Sequence, residues 1–472
     1  MSDERGADRT GRLQRMHPAA GDRWRNARRI LCVRLDSLGD VLMCTPAMRA
    51  LRHAAPGRHL TLLSSASGAA VAPCIPEIDD VLAFNVPWMK QPEMTGDPAA
   101  RGNVDATGNA WNAHAVGNAG APANRSVTAM PPLEHLAAEL RRHAFDAAVI
   151  FTSYSQSALP AAMLCHQAGI PLRLAACREN PYALLTDWVA EPERERATRH
   201  EAQRQLDLVA AIGCGMNPTN TASDARLSFT APADAVSSLD ARLDKACIDA
   251  RKPFLVLHPG ASAPSRRYPA RHWPPLLRLL ARMEYPLVLT GSREEAGAID
   301  AMIAAAGVEA RSLAGRLNLP QLGVLLQRAR LLVANNTGPA HIAAAVGTPV
   351  VSLYAMTNPQ HTPWQVAQRV LFHPVDCRDC LRSTCPQAHH ACLDLLTPDT
   401  IAAAVSSLLQ ETPQRPAYRD GTALAYGQPD AAGTPPLAPA IMPPQQSQTP
   451  PITPPAWPPS AAASASPSAP AG

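Results

Sequence analysis

The sequence predicts an α/β protein made of two Rossmann-like, doubly wound parallel-sheet domains that face a cleft. Short apolar segments alternate with helical ones along much of the chain, a pattern typical of parallel sheets covered by helices on both faces. This pattern restarts after Lys252. At 472 residues the chain is also too long for one ordinary core. We therefore expect an N-terminal domain at residues 28–240 and a C-terminal domain at residues 250–410.

The first domain opens with an apolar strand at Ile30–Leu35, followed by a polar turn. Thr45 and Pro46 have the residue types of an N-cap and a first helical position, so we expect the first helix to run from Thr45 to about Ala54. Further strands are predicted at Leu60–Ser64, Val81–Phe84 and Ala147–Phe151, and further helices at Ala158–Ala168 and Glu201–Ile212.

The second domain repeats this alternation. Its predicted elements are a strand at Phe254–His258, a helix at His272–Met283, a strand at Leu287–Thr290, and helices at Glu294–Ala306, Leu319–Arg328 and Pro398–Leu409. The run from Leu331 to Tyr354 is typical of a buried strand, a tight polar turn, a short helix of small residues and a second buried strand.

Three segments do not fit either domain, and we expect all three to be disordered. Residues 1–27 form a polar head. Residues 91–131 are rich in Gly, Ala and Asn, lack periodicity and interrupt the first domain as an insertion. Residues 413–472 form a tail that is roughly a quarter proline, with Ala and Ser filling much of the rest.

Composition narrows the function classes. A net charge of +4 is too small to indicate nucleic acid as a partner, and no nucleic-acid-binding motif is present. The head lacks the apolar segment of a signal peptide, and no apolar run is long enough to cross a bilayer. Eleven cysteines in a chain without an export signal favour a reducing compartment. We therefore expect a cytoplasmic protein.

The turn at residues 337–341 is the most informative motif. It places a helix N-terminus at the carboxyl end of a parallel strand, where free backbone amides and the helix dipole favour an anion. Thr337 and Gly338 stand where an N-cap belongs, and Pro339 suits the first helical position. His341 lies in the first turn and can donate a ring N–H to the same anion, for which phosphate is the best candidate.

Two further loops follow strand ends. In the turn at residues 36–40, Gly39 allows close backbone approach and Asp40 is free to point into the cleft, although Asp40 can also be read as a helix cap. The loop at residues 258–269 carries Arg266 and Arg267, which suit bidentate phosphate contact but can equally be solvated surface arginines. Polar residues 151–157 can face an acceptor, or they form an ordinary polar loop.

The cysteines near the C-terminus leave two interpretations open. Cys377, Cys380, Cys385 and Cys392 are spaced in a way that is compatible with a tetrahedral zinc site, with His389 and His390 between the last two. Reduced structural thiols explain the same spacing, and a disulfide is disfavoured in a reducing compartment. We predict no metal site and no cofactor.

Five motifs, taken in order, identify a family resemblance. They are RLDSLGDV (34–41) with TPAMRALR (45–52), HPGA (258–261), RRYP (266–269), NTGPAHIAAA (336–345) and CRDCLRSTCPQAHHAC (377–392). With them the chain resembles glycosyltransferase family 9, the ADP-heptose:lipopolysaccharide heptosyltransferases, which have the two-Rossmann GT-B fold. The resemblance covers residues 28–410 without the insertion.

The resemblance implies an inverting, metal-independent transfer of a heptose or related sugar. The donor is a nucleotide-diphosphate sugar, expected to be ADP-heptose, and the acceptor is the lipid A–core or another glycolipid. It implies Asp40 as the general base, which suits a carboxylate that removes the acceptor proton. The implied donor-phosphate residues are Arg34, Arg266, Asn336, Thr337, Gly338 and His341, and the implied acceptor-side residues are Ser37 and Gly39. It also implies a peripheral position on the inner face of the cytoplasmic membrane.

Departures from the family pattern keep one alternative open. Many members have Asp where this chain has Asn336, and the segment at residues 355–363 replaces the usual Gly-Pro-Thr. The alternative is a non-catalytic member that binds nucleotide or glycan and assists surface polysaccharide assembly. A dinucleotide-dependent oxidoreductase is disfavoured, because the first turn carries only Gly39 instead of the Gly-x-Gly-x-x-Gly of that class.

Overall fold

A computed structural model describes residues 23–89, 133–191, 199–215, 225–357 and 359–413. It confirms an α/β protein with two doubly wound parallel sheets of six strands each. The first sheet has the strand order β3-β2-β1-β4-β5-β6. Its strands are β1 (Arg29–Arg34), β2 (His59–Ser64), β3 (Asp80–Ala83), β4 (Ala147–Ile150), β5 (Leu172–Cys177) and β6 (Asp187–Ala190).

The second sheet has the order β12-β11-β10-β7-β8-β9. Read from the β9 edge and numbered in chain order within the sheet, this is the same topology as the first sheet. Its strands are β7 (Leu255–His258), β8 (Leu287–Leu289), β9 (Ala310–Ser312), β10 (Leu331–Asn335), β11 (Val350–Leu353) and β12 (Gln368–Leu371). In each sheet the chain leaves the first strand in one direction and later returns to its other side. Ligands of such sheets bind beyond the carboxyl ends of the strands at this switch point.

Helices connect the strands and cover the sheets. They are α1 (Leu38–Ala54), α2 (Ala66–Ala69), α3 (Leu133–Arg142), α4 (Leu159–Gln167), α5 (Glu201–Ala210), α6 (Ala233–Lys245), α7 (Trp273–Ala281), α8 (Ala296–Ala306), α9 (Leu319–Arg328), α10 (Gly338–Ala345), α11 (Ala391–Asp394) and α12 (Pro398–Glu411). We refer to the part up to α5 as the N-terminal lobe and to the part from β7 onward as the C-terminal lobe.

The start of α1 corrects the sequence-based prediction. The helix begins at Leu38 and not at Thr45, because Ser37 and Asp40 form a capping box about two turns earlier. Pro46 consequently lies inside the helix. The Thr45 hydroxyl donates to the backbone carbonyl of Leu42 at 2.7 Å. The corrected start matters for function because it turns the loop containing Gly39 and Asp40 into the first turn of a helix.

The sequence pattern missed four strands, namely β5, β6, β9 and β12, and four helices, namely α2, α3, α6 and α11. Helix α6 packs against α9 of the C-terminal lobe, where Gln321 donates to the Ser238 hydroxyl at 2.9 Å. Of the three segments predicted to be disordered, residues 1–22, 91–131 and 414–472 lie outside the described residues. The prediction is wrong for residues 23–27, which the structure describes and which begin with a helical turn. Trp24 is fully buried and donates its indole N–H to Asp187 at 2.9 Å, so packing begins before residue 28.

The two lobes share a continuous apolar core. Buried residues of α1, such as Met43 and Met48, belong to the same cluster as Ile342 of α10 and Val256 of β7. Helices α1 and α10 therefore meet at the junction of the lobes. Helix α1 follows β1, the first strand of its sheet in chain order, and α10 follows β10, the fourth strand of the other sheet. This packing aligns the N-termini of two helices from opposite lobes.

Candidate functional site

The first turns of α1 and α10 touch each other. A Cβ atom on Gly39 would lie 2.6 Å from Cδ2 of His341, and a Cβ on Gly338 would lie 2.8 Å from Cδ1 of Leu38. Both distances are shorter than normal carbon–carbon contacts. Glycine at position 39 is therefore required for the present approach of the two helices, because the His341 ring is rigid, whereas the Leu38 methyl group beside Gly338 can move aside. The structure thus brings the predicted turn at residues 36–40 together with the predicted turn at residues 337–341.

Asp40 lies at this junction with its side chain 24% exposed. One carboxylate oxygen, Oδ1, is 3.2 Å from Nη2 of Arg34. The other, Oδ2, accepts hydrogen bonds from the Ser37 hydroxyl at 2.7 Å and from the Ser37 backbone N–H at 3.3 Å. Burial opposes ionisation, but Arg34, two nearby histidines and the Ser37 hydroxyl together lower the pKa of Asp40 to about 2. Asp40 is therefore a carboxylate at neutral pH.

Arg34 is 0% exposed and forms ion pairs with three carboxylates. Besides Asp40, its guanidinium meets Asp36 at 2.8 Å and Glu201 at 3.0 Å. These carboxylates keep the pKa of Arg34 well above its ordinary value despite burial. Contact of Arg34 with donor phosphate stays a prediction, since the partners of its guanidinium among the described residues are carboxylates.

Asp36 is the second carboxyl of the turn. Its Oδ1 accepts a hydrogen bond from Nε2 of Gln156 at 2.5 Å. Burial, reinforced by the neighbouring charge of Asp40, raises the pKa of Asp36 to about 6 even though Arg34 opposes the shift. Asp36 and Asp40 thus contact the same guanidinium but have very different pKa values.

The C-terminal lobe supplies the opposite wall. Arg266 ends a short 3₁₀ turn at Pro264–Arg266, and burial lowers its pKa while the charge of Asp40 works in the other direction. Its Nε is buried without a hydrogen-bond partner among the residues that the structure describes. Burial also lowers the pKa of His341 to about 4, so its imidazole is neutral at neutral pH. Within the described ranges, Nδ1 of His341 is likewise buried and unbonded.

Residues around the α10 N-terminus hold its geometry. Thr337 is the N-cap residue in extended conformation, and its side chain makes no capping hydrogen bond. Asn336 is 4% exposed and donates through Nδ2 to the Thr357 hydroxyl, which in turn donates to the Tyr354 hydroxyl at 3.1 Å. Asn336 is thus tied to the segment after β11, the same segment that departs from the family pattern.

Several residues of this site were missed by sequence reasoning. Asn335 is fully buried at the end of β10; its Nδ2 donates to the Pro259 carbonyl at 2.6 Å, and its Oδ1 accepts from the Tyr268 backbone N–H at 3.1 Å. It therefore fastens both ends of the loop that carries Arg266. Glu201 was also missed, because it reaches the site from 167 residues away in sequence. Gln156 belongs to the polar residues 151–157 that were considered as acceptor contacts, and it bonds to Asp36 from 120 residues away.

A cavity of about 540 Å³ opens elsewhere in the C-terminal lobe, lined by Gly260, Tyr268, Glu295 and Met302 among others. Arg267, one of the two arginines considered for phosphate contact, lines this cavity, whereas Asp40, Arg266 and His341 do not. The meeting point of the two helix N-termini therefore defines the candidate site better than cavity size does, because the charged and unbonded groups converge there.

The four C-terminal cysteines surround a separate cavity of about 20 Å³. The Cys377 thiol is 3.8 Å from Nε2 of His389, and burial raises the pKa of Cys392 to about 11. In the part of the chain that the structure describes, no three His, Cys, Asp or Glu side chains are grouped closely enough to hold a metal ion. Across the same residues, no helix has the length and apolar character needed to span a membrane.

Comparisons with known proteins agree with this architecture. Residues 133–391 match the family model of glycosyltransferase family 9 (heptosyltransferase), which is more than half of the chain. Lipopolysaccharide heptosyltransferase 2 of Escherichia coli K12 is 27% identical over 287 residues, which is 57% of this chain and 77% of the relative.

Solved structures of this family have the same fold. A family 9 glycosyltransferase from Veillonella parvula superposes with a TM-score of 0.62 at 18% identity, covering 82% of this chain and 98% of that one. An E. coli heptosyltransferase solved with ADP-2-deoxy-2-fluoro heptose gives a TM-score of 0.54 at 17% identity, covering 80% and 99%. The family match, the paired sheets and the junction of α1 with α10 lead to one conclusion: this chain belongs to glycosyltransferase family 9 and is a glycosyltransferase.

Proposed function

We propose that the protein transfers heptose from ADP-heptose to a lipopolysaccharide core acceptor, with inversion at the anomeric carbon and without a metal ion. One observation carries the proposal. The carboxylate of Asp40 sits at the junction of the lobes, against a wall formed by Arg266, neutral His341 and the N-terminus of α10. The relatives named as lipopolysaccharide heptosyltransferases, and the neighbour solved with an ADP-heptose analogue, support the choice of donor and acceptor.

Asp40 acts as the general base in this proposal. As the acceptor oxygen forms its bond to the anomeric carbon, the bond to the diphosphate breaks and the acceptor proton passes to Asp40. Attack from the side opposite the leaving group inverts the anomeric centre. The ion pair with Arg34 and the hydrogen bonds from Ser37 hold Asp40 ionised and in one orientation before the acceptor arrives.

The leaving diphosphate is bound by the C-terminal lobe. The backbone N–H of Gly338 at the α10 N-terminus, the Arg266 guanidinium and a ring N–H of His341 are donors suited to the charge that develops on the departing phosphate. Asn336 adds an uncharged amide beside them and so avoids repulsion. Because guanidinium and helix amides supply this stabilisation, and the sequence has no Asp-x-Asp pair, the proposal needs no divalent cation.

The acceptor enters from the N-terminal lobe, next to Ser37 and Gly39. A core glycolipid is displayed on a membrane surface, so we propose that the protein works in the cytoplasm, at the inner face of the cytoplasmic membrane. Gln156 and the polar residues around it line the same end of the first sheet and offer further contacts to a polar acceptor.

The test is a donor screen with purified protein. ADP-heptose, other ADP-sugars, GDP-sugars and UDP-sugars are each incubated with a lipid A–core acceptor in the presence of a chelator, and nucleoside diphosphate release and product mass are scored. We expect turnover with ADP-heptose that survives the chelator, and an anomeric configuration in the product opposite to that of the donor. Binding of ADP without turnover by any donor would instead support the non-catalytic alternative.

A further inference from the structure

We propose that Glu201 is a positioning residue for the general base, acting on Asp40 through Arg34. This inference rests on the proposed function and adds to it a residue that contacts neither the donor nor the acceptor. Glu201 begins α5, and its Oε1 lies 3.0 Å from Nη1 of Arg34. The side chain is completely buried.

The three carboxylates use different nitrogens of the Arg34 guanidinium. Nε faces Asp36 at 2.8 Å, Nη2 faces Asp40 at 3.2 Å and Nη1 faces Glu201 at 3.0 Å. A guanidinium is a rigid plane, so fixing one nitrogen fixes the direction of the others. Asp36 and Asp40 lie on the partly exposed side of this arrangement. Glu201 is the fully buried member and therefore the anchor.

Glu201 is itself held tightly. Its Oε1 accepts a hydrogen bond from Nε2 of Gln205 at 2.7 Å and lies 3.3 Å from Nη1 of Arg204. Arg204 in turn pairs with Glu191, with 2.8 Å between its Nη2 and Oε2 of Glu191. Burial opposes ionisation of Glu201, but Arg204 and Arg34 lower its pKa, so it carries a negative charge.

This arrangement is costly for stability alone. Oε2 of Glu201 is buried with no hydrogen-bond partner in the described part of the chain. A buried polar atom without a partner costs free energy, and a buried ion network is often no more stable than a set of well-packed apolar residues that replaces all of it. The charge has a direct effect at the site, because it neutralises part of Arg34. Without it, Arg34 would pair more strongly with Asp40 and make Asp40 a weaker base.

The substitution Glu201→Gln isolates this effect. Glutamine keeps the shape and an acceptor oxygen for Arg34 but removes the charge. We expect kcat to fall about tenfold, the size typical of coupling within a buried ionic network, while KM for ADP-heptose changes less than about twofold. The same substitution combined with Asp40→Asn is expected to cost no further activity beyond Asp40→Asn alone, since Glu201 acts through Asp40.

Glu77→Gln is the matched control. Glu77 is another buried carboxylate of the N-terminal lobe, held by Arg49 at 2.9 Å and by the Ser228 hydroxyl at 2.5 Å, without contact to Arg34. Its substitution is expected to lower the melting temperature about as much as Glu201→Gln while leaving kcat unchanged. An equal loss of kcat in both variants, or no loss in Glu201→Gln, would overturn the proposal.

A second readout does not depend on turnover. The Asp36 carboxyl, whose pKa is about 6, faces Arg34, Asp40 and Glu201, and Asp40 also faces His341 and His361. In ¹³C-labelled protein, the carboxyl resonance that titrates near this pH and disappears in Asp36→Asn reports the state of the network. We expect Glu201→Gln to move that titration to lower pH and Glu77→Gln to leave it in place.

The two readouts separate the possible failures. If wild-type protein shows no transfer with any donor but Glu201→Gln moves the Asp36 titration, the proposed function fails and the coupling of Glu201 to the turn stands. If transfer occurs and Glu201→Gln changes neither kcat nor the titration, the role of Glu201 is refuted while the proposed function stands.

Discussion

The two halves of the site differ in how their charges are satisfied. In the N-terminal lobe, Arg34 is surrounded by carboxylates, and Asp40 already has partners on both oxygens. In the C-terminal lobe, Arg266 and His341 each carry a buried nitrogen without a partner among the described residues. Buried polar groups are normally satisfied. The first half is therefore organised before ligands arrive, whereas the second half has donors to offer to an anion.

The largest expected effect comes from the organised half. Asp40→Asn keeps the side-chain shape and the hydrogen bond from Ser37 but removes the base. We expect kcat to fall by about 10²- to 10⁴-fold, the usual contribution of general base catalysis, with the affinity for ADP little changed. Steady-state transfer rates and calorimetric ADP titrations check this. Transfer at the wild-type rate would remove Asp40 as the base.

Arg266→Gln tests the C-terminal half of the site, in which buried nitrogens have no partner among the described residues. Loss of the guanidinium beside the departing diphosphate is expected to lower kcat/KM by about a hundredfold, as removal of a single preorganised donor does. Arg267→Gln is the control. Arg267 is the next residue in the same loop, but it is exposed, and its Nε donates to the Ala261 carbonyl at 2.7 Å. Similar losses in both variants would indicate a disturbed loop in place of a lost phosphate contact.

We expect acid to lower the free energy of unfolding, because several buried histidines are neutral in the folded protein. Burial lowers the pKa of His200, His258 and His341 to about 4, from an ordinary value of 6.5. Between pH 6.5 and 4 these histidines are therefore protonated in the unfolded chain but still neutral in the folded chain. The free energy of unfolding consequently falls as the pH falls through this window. Asp36, with a pKa raised to about 6, acts in the opposite direction over the same range.

The three histidines outweigh the single carboxyl, so we expect a net loss of about 2 kcal/mol or more between pH 6.5 and 4. Denaturant unfolding at a series of pH values measures it. His258→Gln should flatten the dependence, whereas His53→Gln, at an exposed position, should not. A free energy of unfolding that stays constant over this window would contradict the neutral state assigned to the buried histidines.

The contact between the two halves can be altered by one methyl group. In Gly39→Ala the new Cβ meets the His341 ring, so the helix N-termini have to separate by a few tenths of an ångström or more. We expect kcat to fall about tenfold because small displacements of positioned groups are costly in catalysis. Gly297→Ala, where the added Cβ has no neighbour within 4 Å, is the control and should retain full activity.

Much of the fold and part of the site could be predicted from local sequence. The restart of the strand–helix pattern predicted two sheets, and the two turns singled out after β1 and β10 are ones that the structure brings into contact. The start of α1 was predicted wrongly because Thr45-Pro46 and Ser37-x-x-Asp40 are both capping signals, and local pattern alone does not rank them. The short strands β9 and β12 carry little apolar periodicity to reveal them.

The rest of the site depends on long-range packing. Glu201 reaches Arg34 only because α5 folds back onto α1 after more than 160 intervening residues. Asn335 holds both ends of the Arg266 loop through contacts with segments 76 and 67 residues away. Neither residue belongs to a motif with a recognisable spacing, so nothing short of the tertiary structure reveals their roles.

The most direct test of the account is a crystal structure with an unreactive donor such as ADP-2-deoxy-2-fluoro heptose. We predict diphosphate oxygens within hydrogen-bond distance of Arg266 and of the backbone N–H of Gly338, with the anomeric carbon directed toward Asp40. A diphosphate bound elsewhere, or an Asp40 side chain rotated away from the sugar in the donor complex, would contradict it.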